Sequence, residues 1–214
     1  MMSNVKSPFL VYQEFLSPKQ CQEIVDMVKI NKPDTDAAGF PTKMDRYHAD
    51  AEAKIFAKFK TLVPEIEAHY GLKYKGTESL VFQQFPEGMK GLAEQPHCEN
   101  SQYLRKKWVK VKDRDLTAIL WLKDYHDKVP LDPRHEVYGG KLEFPAYNFS
   151  LQPQRGTLLV YPAGPHFITA TTPVLVGNLN AVRFHIASDS TDGPWLYQPA
   201  NFPGTWDQWF QEYV

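Results

Sequence analysis

The sequence predicts a mainly β fold with α-helices packed on its outside, and three observations carry that expectation. Short runs rich in β-branched and aromatic residues recur from residue 72 onward, punctuated by Gly and Pro. Aromatic residues make up 14% of the chain and there are 17 prolines, which suits a sheet with many turns better than a helix bundle. Helical periodicity is confined to the N-terminal part.

Taken in order, Pro8 to Tyr12 is a short apolar run that can form a strand. Ser17 reads as an N-cap with Pro18 at the first helical position, and Cys21, Ile24, Val25 and Val28 then recur at helical spacing as far as Ile30. Residues 31–47, with two prolines and Gly39, read as a loop. A second helical pattern spans 50–63 with Ile55, Phe56 and Phe59 inward. Pro64 either kinks that helix or opens a new one reaching His69, and Gly71 closes the region. The β-rich runs are 79–85, 116–122, 141–144, 157–161, 167–172 and 181–187, a spacing expected of a β-barrel or sandwich. The tail, 191–214, carries Trp195, Tyr197, Phe202, Trp206, Trp209 and Phe210, enough aromatic surface to pack over the barrel, close as a lid or meet a second copy.

At 214 residues the chain suits one domain: a helical part over 16–71, a barrel over 72–190 and the aromatic tail. Its formal net charge of -1 does not mark the whole molecule as a nucleic-acid or membrane binder. Two cysteines, Cys21 and Cys98, make a disulfide framework unexpected and a reducing compartment the default. No run approaches the roughly 20 apolar residues of a membrane helix, and no signal-peptide pattern opens the chain, so a cytoplasmic protein is expected.

Chemistry concentrates in Gln95-Pro96-His97-Cys98-Glu99-Asn100. In extended chain, residues two apart face the same side, so His97 and Glu99 project together and Cys98 points away. An imidazole beside a carboxylate is part of a two-histidine, one-carboxylate metal site. Of the other six histidines, His48, His69, His126 and His135 read as solvated surface groups. His166 differs: it follows the apolar run Thr157–Pro162 and a Gly-Pro turn, where it can meet the first pair. Arg183 lies in the apolar run Asn180–Ala187 and needs a partner, either an internal carboxylate or that of a bound organic acid. His185 shares its strand face.

The order of these pieces resembles the prolyl 4-hydroxylase-like branch of the 2-oxoglutarate/Fe(II)-dependent oxygenases. Leu16-Ser17-Pro18-Lys19-Gln20-Cys21 matches that family's opening helix start, and Phe85-Pro86-Glu87-Gly88 its aromatic-x-x-Gly. His97-Cys98-Glu99 matches its His-x-Asp, with a carboxylate one methylene longer. Gly139-Gly140-Lys141-Leu142 with Phe144-Pro145 matches the motif after the middle strand. His166, Pro173-Val174-Leu175-Val176-Gly177 and Arg183-Phe184 match the closing set, with a longer gap before the arginine. The resemblance covers about residues 8 to 188.

It implies a double-stranded β-helix, or jelly-roll, barrel carrying Fe(II) on His97, Glu99 and His166, with 2-oxoglutarate and O2 as co-substrates. Arg183 would hold the far carboxylate of 2-oxoglutarate. Gln83, Thr117, Ile119, Trp121 and Leu142 would line the co-substrate pocket. The activity implied is hydroxylation with release of succinate and CO2, a prolyl residue being the family-level substrate. Two alternatives keep the barrel: a non-catalytic binding or assembly module, and a cupin-like metalloenzyme that does not use 2-oxoglutarate. The basic stretch 105–114 suits an acidic peptide or nucleotide substrate, or forms a solvated loop. Loops 86–95 and 124–138 are long enough to serve as lids.

Overall fold

Ser17 and Gln20 start the first helix as a reciprocal pair. The Gln20 N–H donates to Ser17 Oγ at 3.2 Å and the Ser17 N–H to Gln20 Oε1 at 2.9 Å, so two otherwise orphaned donors are met locally. The computed structural model describes residues 7–30, 42–44, 48–88 and 91–189. The aromatic tail and most of the 31–47 loop lie outside the described residues. Helix α1 spans Pro18–Ile30, α2 Ala49–Lys60 and α3 Val63–Tyr70. Pro64 therefore opens a new helix, in its first turn where a missing N–H costs nothing. Gly71 ends it at φ 67°, with its N–H on the Glu67 carbonyl at 2.8 Å.

The strands follow the chain as β1 (Leu10–Tyr12), β2 (Thr42–Lys43), β3 (Tyr74–Thr77), β4 (Val81–Phe85) and β5 (Glu94–His97). Next come β6 (Ser101–Leu104), β7 (Lys107–Lys110), β8 (Leu116–Trp121), β9 (Asp124–Tyr125), β10 (Glu136–Gly139) and β11 (Leu142–Phe144). The last are β12 (Phe149–Leu151), β13 (Leu158–Pro162), β14 (Thr169–Thr171), β15 (Val174–Val176) and β16 (Leu179–Ser188). One antiparallel sheet runs β1-β13-β8-β16-β4-β2, with β3 also on β16; a second runs β12-β11-β14-β5. A small sheet, β15-β10-β9, and the hairpin β6-β7 complete the set. Two antiparallel sheets facing each other across a shared core make the double-stranded β-helix.

Alternation along β8 and β16 sorts the two cores. Leu116, Ala118, Leu120, Val182, Phe184 and Ile186 face the helices and pack on Ile24, Val25, Val28, Ile55 and Phe59. Ile119, Trp121 and Ala181 face the other sheet, where they meet Leu142, Phe144, Tyr161 and Leu179. Thr117, Arg183 and His185, on the same inward parity, bring polar groups to one end of that interior. Gly156 is needed where the chain returns to the helices: its φ is +81° and any Cβ would collide with the Leu16 carbonyl.

His48 departs from its expected solvated place. It is 6% exposed, just ahead of α2, because the Met44 carbonyl takes its backbone N–H at 2.7 Å and draws it inward. Among the described residues no helix is long and apolar enough to cross a membrane.

Phe184 meets the rings of Phe59 and Phe56 edge-on, with centroids 5.0 and 6.1 Å away. Phe184→Ala is expected to cost about 3–5 kcal/mol of unfolding free energy, read by urea denaturation.

Candidate functional site

His97 ends β5, and the chain turns immediately so that Glu99 folds back beside it. His97 Nε2 and Glu99 Oε1 are 3.0 Å apart, as expected from their two-residue spacing, and His97 Nδ1 lies 2.9 Å from the Gln95 carbonyl. Cys98 points the other way, its thiol donating to the Ala163 carbonyl at 3.4 Å. Since Nδ1–H donates to the Gln95 carbonyl, a hydrogen bond from Nε2 to the Glu99 carboxylate makes the ring an imidazolium, and Nε2 becomes a lone pair for a metal only when that proton leaves.

Arg183 reaches the same point from β16. It forms a bidentate pair with Glu94, Nη1 to Oε1 at 2.8 Å and Nη2 to Oε2 at 2.7 Å. The same Nη1 donates to Glu99 Oε1 at 3.0 Å and lies 3.5 Å from His97 Nε2. The arginine's partner is thus internal, and its fork is taken by Glu94 and Glu99 instead of being offered to a bound acid. Burial would lower the Arg183 pKa, but the charges of Glu94 and Glu99 outweigh it and raise it further. Burial alone would raise Glu99; Arg183, His97 and His185 outweigh that and hold its carboxyl well below the ordinary range. For His97, burial pulls downward, but the Glu99 bond and the charges of Glu99 and Glu94 raise the imidazole overall.

An outer ring steadies the pair. His185 Nε2 is 3.5 Å from Glu99 Oε2, and its Nδ1 is 3.2 Å from Thr117 Oγ1. Arg114 clamps Glu78 with two bonds of 2.6 and 2.7 Å and stands 3.5 Å from Glu99 Oε2. Thr117, expected in the co-substrate lining, pairs with His185. Ile119, Trp121 and Leu142 do line the interior. Gln83 lies opposite Ala181 on the inward parity. Buried in that interior, Gln83 Oε1, Thr169 Oγ1 and Tyr161 Oη have no hydrogen-bond partner of good geometry among the described residues, although the Tyr161 and Thr169 hydroxyls face each other.

His166 does not complete a three-ligand group with the pair. It sits in the 3-10 turn Pro165–Phe167, ahead of the strand it was expected to begin, and the residue directly across the ladder from His97 is Thr169. Among the described residues no three His, Cys, Asp or Glu side chains converge as a ready metal-binding group. Glu94 was missed because strict alternation places it on the opposite face from His97. The pairing explains the error: Thr169 faces His97 and Thr171 faces Glu94, so three steps on β5 match two on β14. That β-bulge, at Gln95-Pro96, turns Glu94 inward, and a proline within a strand was the one signal for it.

No protein-family model matches the sequence, and no curated protein matches it. Solved structures do. The viral collagen prolyl hydroxylase of Paramecium bursaria Chlorella virus-1, in its 2OG complex, superposes with a TM-score of 0.63 at 16% identity, over 86% of this chain and 97% of that one. The chain has the prolyl hydroxylase fold. A truncated form of the same viral enzyme gives 0.63 at 15% identity, over 85% and 90% of the two chains. A Pseudomonas putida prolyl-4-hydroxylase gives 0.58 at 14% identity, over 86% and 94%.

Burial holds the His166 and His185 imidazoles down at about 4, below their ordinary 6.5. Between those values the unfolded chain takes up protons that the folded chain refuses, so stability falls as pH drops through the window. The melting temperature is expected to fall steadily from pH 6.5 to 4.5, and His166→Asn to flatten part of that slope in thermal melts.

Proposed function

We propose that this chain is a 2-oxoglutarate- and Fe(II)-dependent oxygenase that hydroxylates its substrate and releases succinate and CO2. One observation carries the proposal: within a prolyl hydroxylase fold, His97 Nε2 and Glu99 Oε1 present two donor atoms 3.0 Å apart. Atoms about 2.1 Å from one octahedral ion stand about 3 Å from each other when adjacent. Glu94 and Glu99 already face a cation, the Arg183 guanidinium. A bound iron supplies the activation of dioxygen. The chain's own residues orient and shield. The Gln95 carbonyl fixes the His97 tautomer, His185 and Arg114 steady Glu99, and Gln83, Tyr161 and Thr169 offer the buried polar groups for the co-substrate. Ile119, Trp121 and Leu142 keep water from the interior.

Arg183 favours a second reading, in which its guanidinium stays in place permanently and the barrel is a non-catalytic binding module. The two readings part on one experiment. Aerobic protein with Fe(II) and 2-oxoglutarate is expected to form succinate even without primary substrate, and His97→Ala to abolish it. Protein that forms no succinate, and shows no charge-transfer absorption on anaerobic addition of both, is the binding module.

An acidic substrate or partner is proposed from the β6-β7 hairpin, with a prolyl residue the family-level target. Its two-residue turn places Arg105 and Lys106 at φ 51° and 64°, and with Lys107 they form an exposed cationic tip. Lys110 and Arg114 are engaged internally, by Asp115 and Glu78. Reversing Arg105, Lys106 and Lys107 to Glu is expected to lower the salt concentration that elutes the protein from a heparin column. The free thiols of Cys21 and Cys98 fit the proposed cytoplasmic, reducing setting.

A further inference from the structure

We propose that the tail segment 205–214 docks as an amphipathic helix in the apolar groove between α1 and α2, on the face of the main sheet away from the polar centre. The groove is then a seat for the chain's own tail and not for a substrate. The docking is independent of the chemistry in the barrel, and the oxygenase reading can stand or fall without it.

The groove has a volume of about 390 Å3 and is lined by Ile24 and Met27 of α1 and by Ala51, Ile55 and Ala57 of α2. Ala51 and Ala57 contribute only a methyl each, so the seam between the two helices stays open. Met27 is half-buried beside it, and its unbranched side chain adapts to whatever enters. Lys54 and Lys58, one turn apart on α2, stand exposed at the rim, with Glu23 on the α1 side. An apolar groove between two helices is the receptor half of a recurring mode of recognition. Its other half is a helix with apolar anchors at i, i+3, i+4 and i+7.

The tail lies outside the described residues, and its sequence carries that other half. Trp206, Trp209, Phe210 and Tyr213 follow the i, i+3, i+4, i+7 spacing. Thr205 and Gln208 repeat, three residues apart, the capping pair that Ser17 and Gln20 form at α1. Charge is complementary: residues 190–214 contain Asp192, Asp207 and Glu212 but no Lys or Arg, and the rim offers two lysines against one glutamate. The described chain also stops in the right place. Ser188 pairs with Tyr74, whose ring centroid is 6.4 Å from that of Phe59 on α2, and the Asp189 N–H donates to the Lys73 carbonyl at 3.0 Å. The chain thus leaves β16 beside the last turn of α2. Residues 190–204 can span up to about 50 Å, while α2 is only about 18 Å long. The helices pack on the Phe184 face of β16, and Arg183 with its carboxylates lies on the other. Of the places its aromatic surface suits, the tail therefore takes the outer cover and not the lid.

Hydrogen exchange read by mass spectrometry on the intact chain tests the docking. The amides of 206–213 are expected to exchange at least tenfold more slowly than in a synthetic peptide of residues 203–214. Ala57 is exposed, so the groove can be altered there without touching the core. Ala57→Glu puts a charge into the groove and Ala57→Trp fills it; each is expected to return the tail amides to the peptide's rate. Ala57→Ser, which changes neither charge nor bulk, is expected to leave them protected. Tail amides that exchange at the peptide's rate in the unmodified chain overturn the proposal. Protection that survives both Ala57→Glu and Ala57→Trp overturns it too, because the tail then packs elsewhere. So does protection that is lost on dilution, because the groove is then filled by the tail of a second copy.

Discussion

Arg183 is 6% exposed, and a charge taken that far out of water must be met by opposite charge and hydrogen bonds. Glu94 and Glu99 do both, the first through a bidentate fork and the second through the shared Nη1. The rest of the site is arranged around this requirement. β5 carries a bulge so that Glu94 can reach inward, the turn after His97 folds Glu99 back, and His185 and Arg114 hold the second oxygen of Glu99. Removing either carboxylate leaves the buried Arg183 with only the other. The cluster is therefore cohesive in a way that the apolar interior below it, which tolerates small changes of shape, is not.

The same cluster separates this chain from a simple copy of the hydroxylases it superposes on. Arg183 comes from the strand that pairs with both β4 and β8 at its centre. A central strand of a closed fold cannot shift without breaking two ladders, so only the Arg183 side chain, not its backbone, can move aside. The basic hairpin has no part in that cluster. Its exposed tip belongs to recognition at the surface, and its inner cations are consumed by Asp115 and Glu78.

Much of the fold was legible because it is written in local chemistry. Ser17, Pro18 and Gln20 set the first helix whatever packs on it, Gly71 stops the third, and the alternation of β8 and β16 names the faces of the sheet. The closeness of His97 and Glu99 was legible from their two-residue spacing, although a turn after β5, and not strand alternation, brings Glu99 back. His166 was not, since a position after a tight turn says nothing about which way the ring points, and it lies in a 3-10 turn without completing a three-ligand group. The pairing of Thr117 with His185, a contact between residues 68 positions apart, was not legible either.

By itself, then, the sequence determined the helices, the main strand runs and one half of the polar centre, because propensity, capping and periodicity act over a few residues. Only the tertiary structure decided what Arg183 faces. That depended on a bulge in β5, which shifts the phase of alternation by one residue and is set by how β5 pairs with β14. Glu94 became the arginine's main partner through that single step. A cation and three donors gathered from two sheets exist only once those sheets have closed on each other.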